Sequence, residues 1–291
     1  MRRLVSSAHG PSVGRAHIAQ NRPSPIHPGE SGHSTNPGRF DIVGDVHGCL
    51  EELLALIAAL GYRVERKADG CEVTPPSGRI LAFVGDLVDR GPATPGVLRL
   101  VMHMTHACRA LCVCGNRDVE LLRALRGHAV KVTYGMARTL EQLSAEAPGF
   151  RAQVVRFLAG LTSYSILDEG RLAIAHAGLK EEMQGRASAK AREFALCGEA
   201  TGERDEFGLP VRLDWAAEYR GKALVVYGHT PVPEAAWKNN TVNIDTGCIY
   251  GGHLTALRYP ECETVSVPAG AIYYAPRRPF PPNAALAESM R

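Results

Sequence analysis

RFDIVGDVHGCLEELLALIAAL, residues 39–60, sets the architecture. Phe40 to Val43 form a short apolar run, which reads as a β-strand, and Gly44-Asp45 ends it in a turn. Leu50, Leu53, Leu54, Ile57 and Leu60 then recur at helical spacing, and Gly61 supplies a stop. Strand, turn and helix in direct succession form the repeating unit of an α/β fold.

The same pattern returns along the chain. RILAFVGDLVDRG (79–91) is a second strand and turn, and Pro95 opens a helix carrying Val97, Leu98 and Val101. ALCVCGNRD (110–118) is a third strand with a helix running to Gly127, and two more helical patterns span roughly 136–147 and 150–160. RLAIAHAG (171–178), ALVVYGHT (223–230) and TVNIDTG (241–247) are strand-and-turn units in closer succession. Strands that alternate with helices and then crowd together predict an α/β sandwich with a mixed sheet.

Composition agrees with a soluble enzyme or binding domain. Of 291 residues, 45% are hydrophobic and 22% charged, so a sizeable core is available. No run of about 18 apolar residues occurs, which excludes a membrane-spanning helix. The net charge of +3 permits anionic substrates without arguing for them. The eight cysteines read as reduced, partly buried thiols of a cytoplasmic protein. Cys108, Cys112 and Cys114 crowd together, yet no matching metal-binding pair follows them. Residues 1–38, rich in Gly, Pro, Ser and His, read as a disordered tail, and 276–291 as a second tail. The domain is then 39–275.

Each of six apolar strands ends in a turn that carries metal-ligand types: Asp45 and His47, Asp86, Asn116, His176, His229, and Asp245. Sites in α/β sheets form just beyond the carboxyl ends of strands, so these endings can meet in one cleft. A single Gly-Asp after a strand is an ordinary turn, and a lone His there is usually structural. Six in order are hard to explain as turns. Oxygen and imidazole donors suit Mn²⁺, Fe or Zn²⁺, with Ni²⁺ a further alternative. The set is too large for one ion with an open position and suits two ions sharing a carboxylate.

GDVHG, GDLVDRG, GNRD, HAG and GHT, in this order, resemble the calcineurin-like metallophosphoesterases of the phosphoprotein phosphatase branch. GDVHGCLEELLALI, FVGDLVDRGPATPGVLRLVM, VVYGHTPVPE and NNTVNIDTGCIYGG extend the likeness to the phosphatase module of bacterial polynucleotide kinase–phosphatase and to bacterial asymmetric dinucleoside tetraphosphatases. The resemblance implies a metallophosphoesterase-type β-sandwich of mixed sheets flanked by helices. It implies a first metal on Asp45 and His47, a bridging Asp86, and a second metal on Asn116, His176 and His229. Asp245 would orient ligands or water beside them. Arg90 would grip phosphate, and a metal-bridging hydroxide would attack phosphorus.

Two positions depart from the family pattern. Arg117 stands where the family has a His, with the following acidic Asp118 kept, and Tyr134 replaces a second His. The third-motif His of the family lies near the leaving group; an Arg there stabilises charge but cannot give a proton. The expected activity is hydrolysis of phosphomonoesters or 2′,3′-cyclic phosphates at RNA 3′ ends. The alternatives are a dinucleoside tetraphosphatase, a protein serine/threonine phosphatase, and a degenerate phosphate- or RNA-binding module. No G-x-x-x-x-G-K-[ST] loop occurs and no ligase fits after residue 275, so kinase or ligase repair partners would be separate chains. The charged insert between His176 and Tyr227 is expected to overhang the cleft and set specificity, with Phe194, Phe207, Trp215 and Tyr219 either core residues or base-stacking platforms.

Overall fold

A computed structural model describes residues 38–67 and 70–289. The tail expected over 1–38 therefore lies outside the described residues, apart from Gly38. The first half runs β1 (Arg39–Val43), α1 (Leu50–Ala59), β2 (Arg63–Lys67), β3 (Gly70–Thr74), β4 (Arg79–Phe83), α2 (Thr94–His106), β5 (Ala110–Cys112), α3 (Asn116–Leu125), α4 (Tyr134–Ser144) and α5 (Pro148–Gly160). Next come β6 (Tyr164–Leu167), β7 (Leu172–Ala175), α6 (Ala189–Cys197), β8 (Ala200–Arg204), β9 (Pro210–Arg212) and α7 (Trp215–Glu218). The last part is β10 (Leu224–Tyr227), β11 (Ala236–Lys238), β12 (Thr241–Asn243), β13 (His253–Tyr259), β14 (Glu263–Pro268) and α8 (Ala284–Ser289).

Two five-stranded sheets face each other. Their orders are β14-β13-β1-β4-β5 and β11-β12-β10-β7-β6. In the first, β1, β4 and β5 are parallel, while β13 pairs antiparallel with both β1 and β14; in the second, β7, β10 and β12 are parallel, and the edge strands β6 and β11 pair antiparallel. Period-two alternation builds the layers. Phe40 and Ile42 of β1, Leu172 and Ile174 of β7, and Leu224 and Val226 of β10 fill the space between the sheets. Ala173, Ala175 and Val225 face outward onto Phe194 of α6 and Trp215 of α7. On the opposite side, Leu53 and Ile57 of α1 and Val97, Leu98 and Val101 of α2 cover the first sheet. The expected mixed sandwich flanked by helices is thus the observed fold. Among the described residues, no helix is long and apolar enough to cross a membrane.

One expectation needs correction, and one open alternative resolves. Residues 276–289 are not a detached tail: Asn283 is buried, and its side-chain amide donates to the carbonyls of Gly251, Gly252 and Ala269 at 2.9, 3.2 and 3.0 Å. Phe280 packs on Tyr250. Proline-rich composition made this strap read as a linker. The insert also divides. Phe194, Trp215 and Tyr219 are core residues that stack edge to face, which leaves only Phe207 of the four exposed.

A buried charge cluster closes the end of the first sheet away from the strand tips. Asp41 is fully buried and accepts hydrogen bonds from Tyr62 at 2.9 Å, Arg79 at 3.0 Å and Arg258 at 3.3 Å. Removing one member of such a group leaves an under-compensated buried charge. Arg79→Met is expected to lower stability by about 3 kcal/mol, a Tm drop on the order of 6–12 °C by calorimetry.

Candidate metal centre

The parallel strands deliver their following residues to one place. β1 leads to Asp45 and His47, β4 to Asp86, and β5 to Asn116; β7 leads to His176, β10 to His229, and β12 to Asp245. The sheets therefore present their carboxyl ends side by side. The turns are strained: His47 (φ 47°), Asp86 (φ 47°) and His229 (φ 73°) all sit in the left-handed region. Non-glycine residues enter it rarely and at some cost, and such outliers gather at functional sites. Close approach also demands Gly115, where a Cβ would lie 2.1 Å from the Asp86 nitrogen and 2.2 Å from its Oδ1.

Two imidazoles are oriented by the backbone. His47 donates from Nδ1 to the Val88 carbonyl at 2.9 Å, and His176 from Nδ1 to the Val84 carbonyl at 3.2 Å. The Nε2 lone pair of each then faces the cleft, as it does when a backbone carbonyl orients a metal-binding imidazole through its other ring nitrogen. His47 Nε2 lies 3.6 Å from Asp86 and 4.0 Å from Asp45. His176 Nε2 lies 3.4 Å from Asp86, 2.9 Å from Asn116 Oδ1 and 2.9 Å from His229 Nδ1. His229 Nδ1 is also 3.0 Å from Asn116 Oδ1. Asp45 accepts from the His229 backbone N–H at 3.2 Å, and Asp245 Oδ1 accepts from Gly247 N–H at 3.1 Å.

The electrostatics call for a cation. Burial, then repulsion by Asp245 and Asp86, pushes the Asp45 carboxyl well up. Burial raises Asp245 to about 7. Burial opposes Asp86 ionisation too, but its histidine neighbours, Arg117 and the Arg117 backbone N–H outweigh it and hold it at about 2. Burial and the Arg90 charge push His47 down to about 3, and burial lowers His176 and His229. Neutral imidazoles and mutually repelling carboxylates form a donor set that divalent ions satisfy. The oxygens of Asp45 and Asp86 and the His176 nitrogen already lie within 4.8 Å of one another.

Arg90 stands at the rim. Its Nη1 donates to the Tyr250 hydroxyl at 3.0 Å and lies 3.4 Å from His47 Nε2. Arg117 hydrogen-bonds the cluster through its backbone N–H, which donates to Asp86 Oδ1 at 2.8 Å, and its side-chain charge also helps to hold Asp86 and His47 low. Its guanidinium pairs with Glu120 at 2.7 Å and Asp89 at 3.5 Å. Asp118 is fully buried and does not enter the cleft as a reacting group. Its two oxygens accept from Gly115 N–H at 2.9 Å and Leu87 N–H at 3.1 Å, so it caps α3 and ties the Asp86 and Asn116 turns together. With no imidazole at 117, orienting one is not open to it. One residue was absent from the sequence reading. Arg212, at the end of β9, lines a cleft of about 190 Å³ with His229 and Gly228, and its guanidinium donates to the Cys197 carbonyl. It sits in a stretch of mixed charge with no local motif, so only the fold reveals it.

The profile of the family described as calcineurin-like phosphoesterase matches residues 38–233, and the chain belongs to that family. It is a metal-dependent phosphoester hydrolase, on a fold that implies a divalent metal pair. The asymmetrical bis(5′-nucleosyl)-tetraphosphatase PrpE of Anoxybacillus flavithermus is 47% identical over 246 residues, which cover 83% of this chain and 99% of that protein. The PrpE of Bacillus subtilis is 43% identical over 238 residues, covering 80% and 96%. A solved structure named as a candidate diadenosine tetraphosphatase shares 26% identity at a TM-score of 0.57, covering 81% of this chain and 95% of the other. A protein serine/threonine phosphatase of Saccharomyces cerevisiae shares the fold at 13% identity and a TM-score of 0.53, covering 82% and 81%.

Metal removal should expose the carboxylate repulsion. A carboxyl whose folded pKa is raised contributes stability at low pH and loses it as pH rises through the folded value. Histidines held neutral by burial oppose this only below their ordinary 6.5. Between pH 6.5 and 8 the Tm of chelated protein should therefore fall. Mn²⁺ at about 100 times its pH 6.5 Kd should add about 2.7 kcal/mol, or on the order of 5–10 °C, and the same concentration should add more at pH 8. A metal-independent Tm would count against the centre.

Proposed function

We propose that this chain is a dinucleoside tetraphosphatase that cleaves its substrate asymmetrically. The RNA 3′-end reading gives way to this alternative because relatives matched over nearly their whole length carry that name. The observation that carries the choice is Arg117. A 3′-phosphate leaves behind an alcohol, whose oxygen needs a proton, and Arg117 cannot give one. A tetraphosphate leaves behind a phosphate chain, whose last ionisation lies near 6, so it departs as an anion. In this reading Arg117 keeps a fixed positive charge beside a leaving group that needs no proton.

In this reading Asp45 and His47 would hold one divalent cation and Asn116, His176 and His229 another, with Asp86 available to both. Oxygen and imidazole donors without thiolate favour Mn²⁺. Such a pair, when bound, supplies an activated water at neutral pH and takes up charge on the phosphoryl oxygens. Arg90 presents its planar fork to the phosphate from the His47 side, and Arg212 does so from the His229 side. Asp245 accepts a hydrogen bond beside the ligands and fixes the turn behind them. Asp118 keeps Gly115 and Leu87 in register, so Asp86 and Asn116 stay opposed.

Steady-state hydrolysis with Mn²⁺ tests this. The wild type should cleave a dinucleoside tetraphosphate far faster than a nucleoside 3′-phosphate. Asp86→Asn should reduce both by about 10³ or more. Arg117→His should raise 3′-phosphate cleavage by about tenfold or more, within the usual worth of a general acid. A wild-type preference for the 3′-phosphate would restore the RNA-end reading.

A further inference from the structure

The rim around Arg90 continues outward as a row of aromatic rings. The Arg90 guanidinium lies 5.8 Å from the Tyr250 ring centroid and 5.5 Å from that of Tyr274. Tyr274 in turn neighbours Tyr134, with centroids 6.5 Å apart and planes inclined by 35°. Tyr134 is 74% exposed, the most exposed large hydrophobic among the described residues. Starting from His47, the sequence of contacts is Arg90, Tyr274, Tyr134, then solvent.

Tyr134 is not placed there by chance of a loose loop. It is the first residue of α4, which Thr133 caps by accepting from Met136 N–H at 3.3 Å. Gly135 lets the helix start lie directly on the phosphate loop: a Cβ there would be 2.3 Å from Asp89 Oδ1 and 2.7 Å from Arg90 Cγ. Arg138, one turn further on, donates to the Arg90 carbonyl at 3.3 Å. The helix that carries Tyr134 is therefore pinned to the residue that grips phosphate. A flat ring with an open face, held at a fixed offset from a phosphate site, suits a planar ligand group.

A dinucleoside tetraphosphate carries a nucleobase at each end of its phosphate chain. We propose that Tyr134, backed by Tyr274, stacks one of these bases, an inference that rests on the tetraphosphatase reading. Every base has a π-face, so the shelf accepts purines and pyrimidines without hydrogen-bond readout. It makes Tyr134 a binding residue for the part of the substrate that does not react.

The test compares KM for a dinucleoside tetraphosphate with the inhibition constant of inorganic tetraphosphate, the same phosphate chain without bases. Tyr134→Leu keeps apolar bulk but loses the flat ring; Tyr134→Phe keeps the ring. Tyr134→Leu should raise the ratio of KM to inhibition constant by about 5- to 100-fold, the range for one stacked base, and Tyr134→Phe should restore it. A ratio unchanged in Tyr134→Leu overturns the shelf, as does a parallel rise in both constants. A wild type that hydrolyses p-nitrophenyl phosphate yet leaves dinucleoside tetraphosphate intact is a different failure. It overturns the tetraphosphatase reading, and the shelf with it.

Discussion

Carboxylates that repel each other inside a protein dominate the design of this chain. Asp45, Asp86 and Asp245 are all buried, and they meet where two sheets bring their strand ends together. Nearby imidazoles are held neutral and cannot compensate them. A fold keeps such a cluster only if a positive charge from outside completes it, or if the acids hold on to protons. The remaining architecture serves to hold this unfavourable grouping still. Left-handed turns aim the ligands, Asp118 ties two of those turns, and backbone carbonyls fix two imidazoles.

The same electrostatics grade the residues around the centre. Arg90 sits close enough to depress His47, so it acts on the cleft directly. Arg117 pairs its guanidinium with Glu120 and Asp89 and hydrogen-bonds the centre through its main chain, while its side chain acts on Asp86 by charge alone. Two arginines that look equivalent as letters thus have different reach. Arg212 joins from the β8–β9 hairpin and lines a cleft beside His229.

Much of this was legible without coordinates, for an identifiable reason. Each candidate ligand directly follows an apolar strand, so Asp45, Asp86 or His229 is marked by its own neighbours. The helix of Leu50 to Leu60 was equally plain from its spacing. What escaped were features that depend on distant partners. Arg212 has no local pattern, and the Pro-rich strap looks like a linker because a single buried Asn283 anchors it. Phe194 and Trp215 could not be told from surface platforms until the sheet they cover was in place. Asp118 kept its family position, but the network it caps became visible only with the two turns brought together.

The dispersion of the ligands has a kinetic side. They come from six strands spread between residues 45 and 245, on two sheets whose central pairings are parallel. Parallel pairing between remote segments raises contact order and slows folding. The donors assigned to one ion, Asp45, His47 and Asp86, all follow strands of the first sheet, whereas Asn116, His176 and His229 come from both sheets and meet only after the two have formed and closed. Capture of that second metal would then come as a late event in the life of the chain and could not template its assembly. It would act afterwards, by slowing escape from the finished structure.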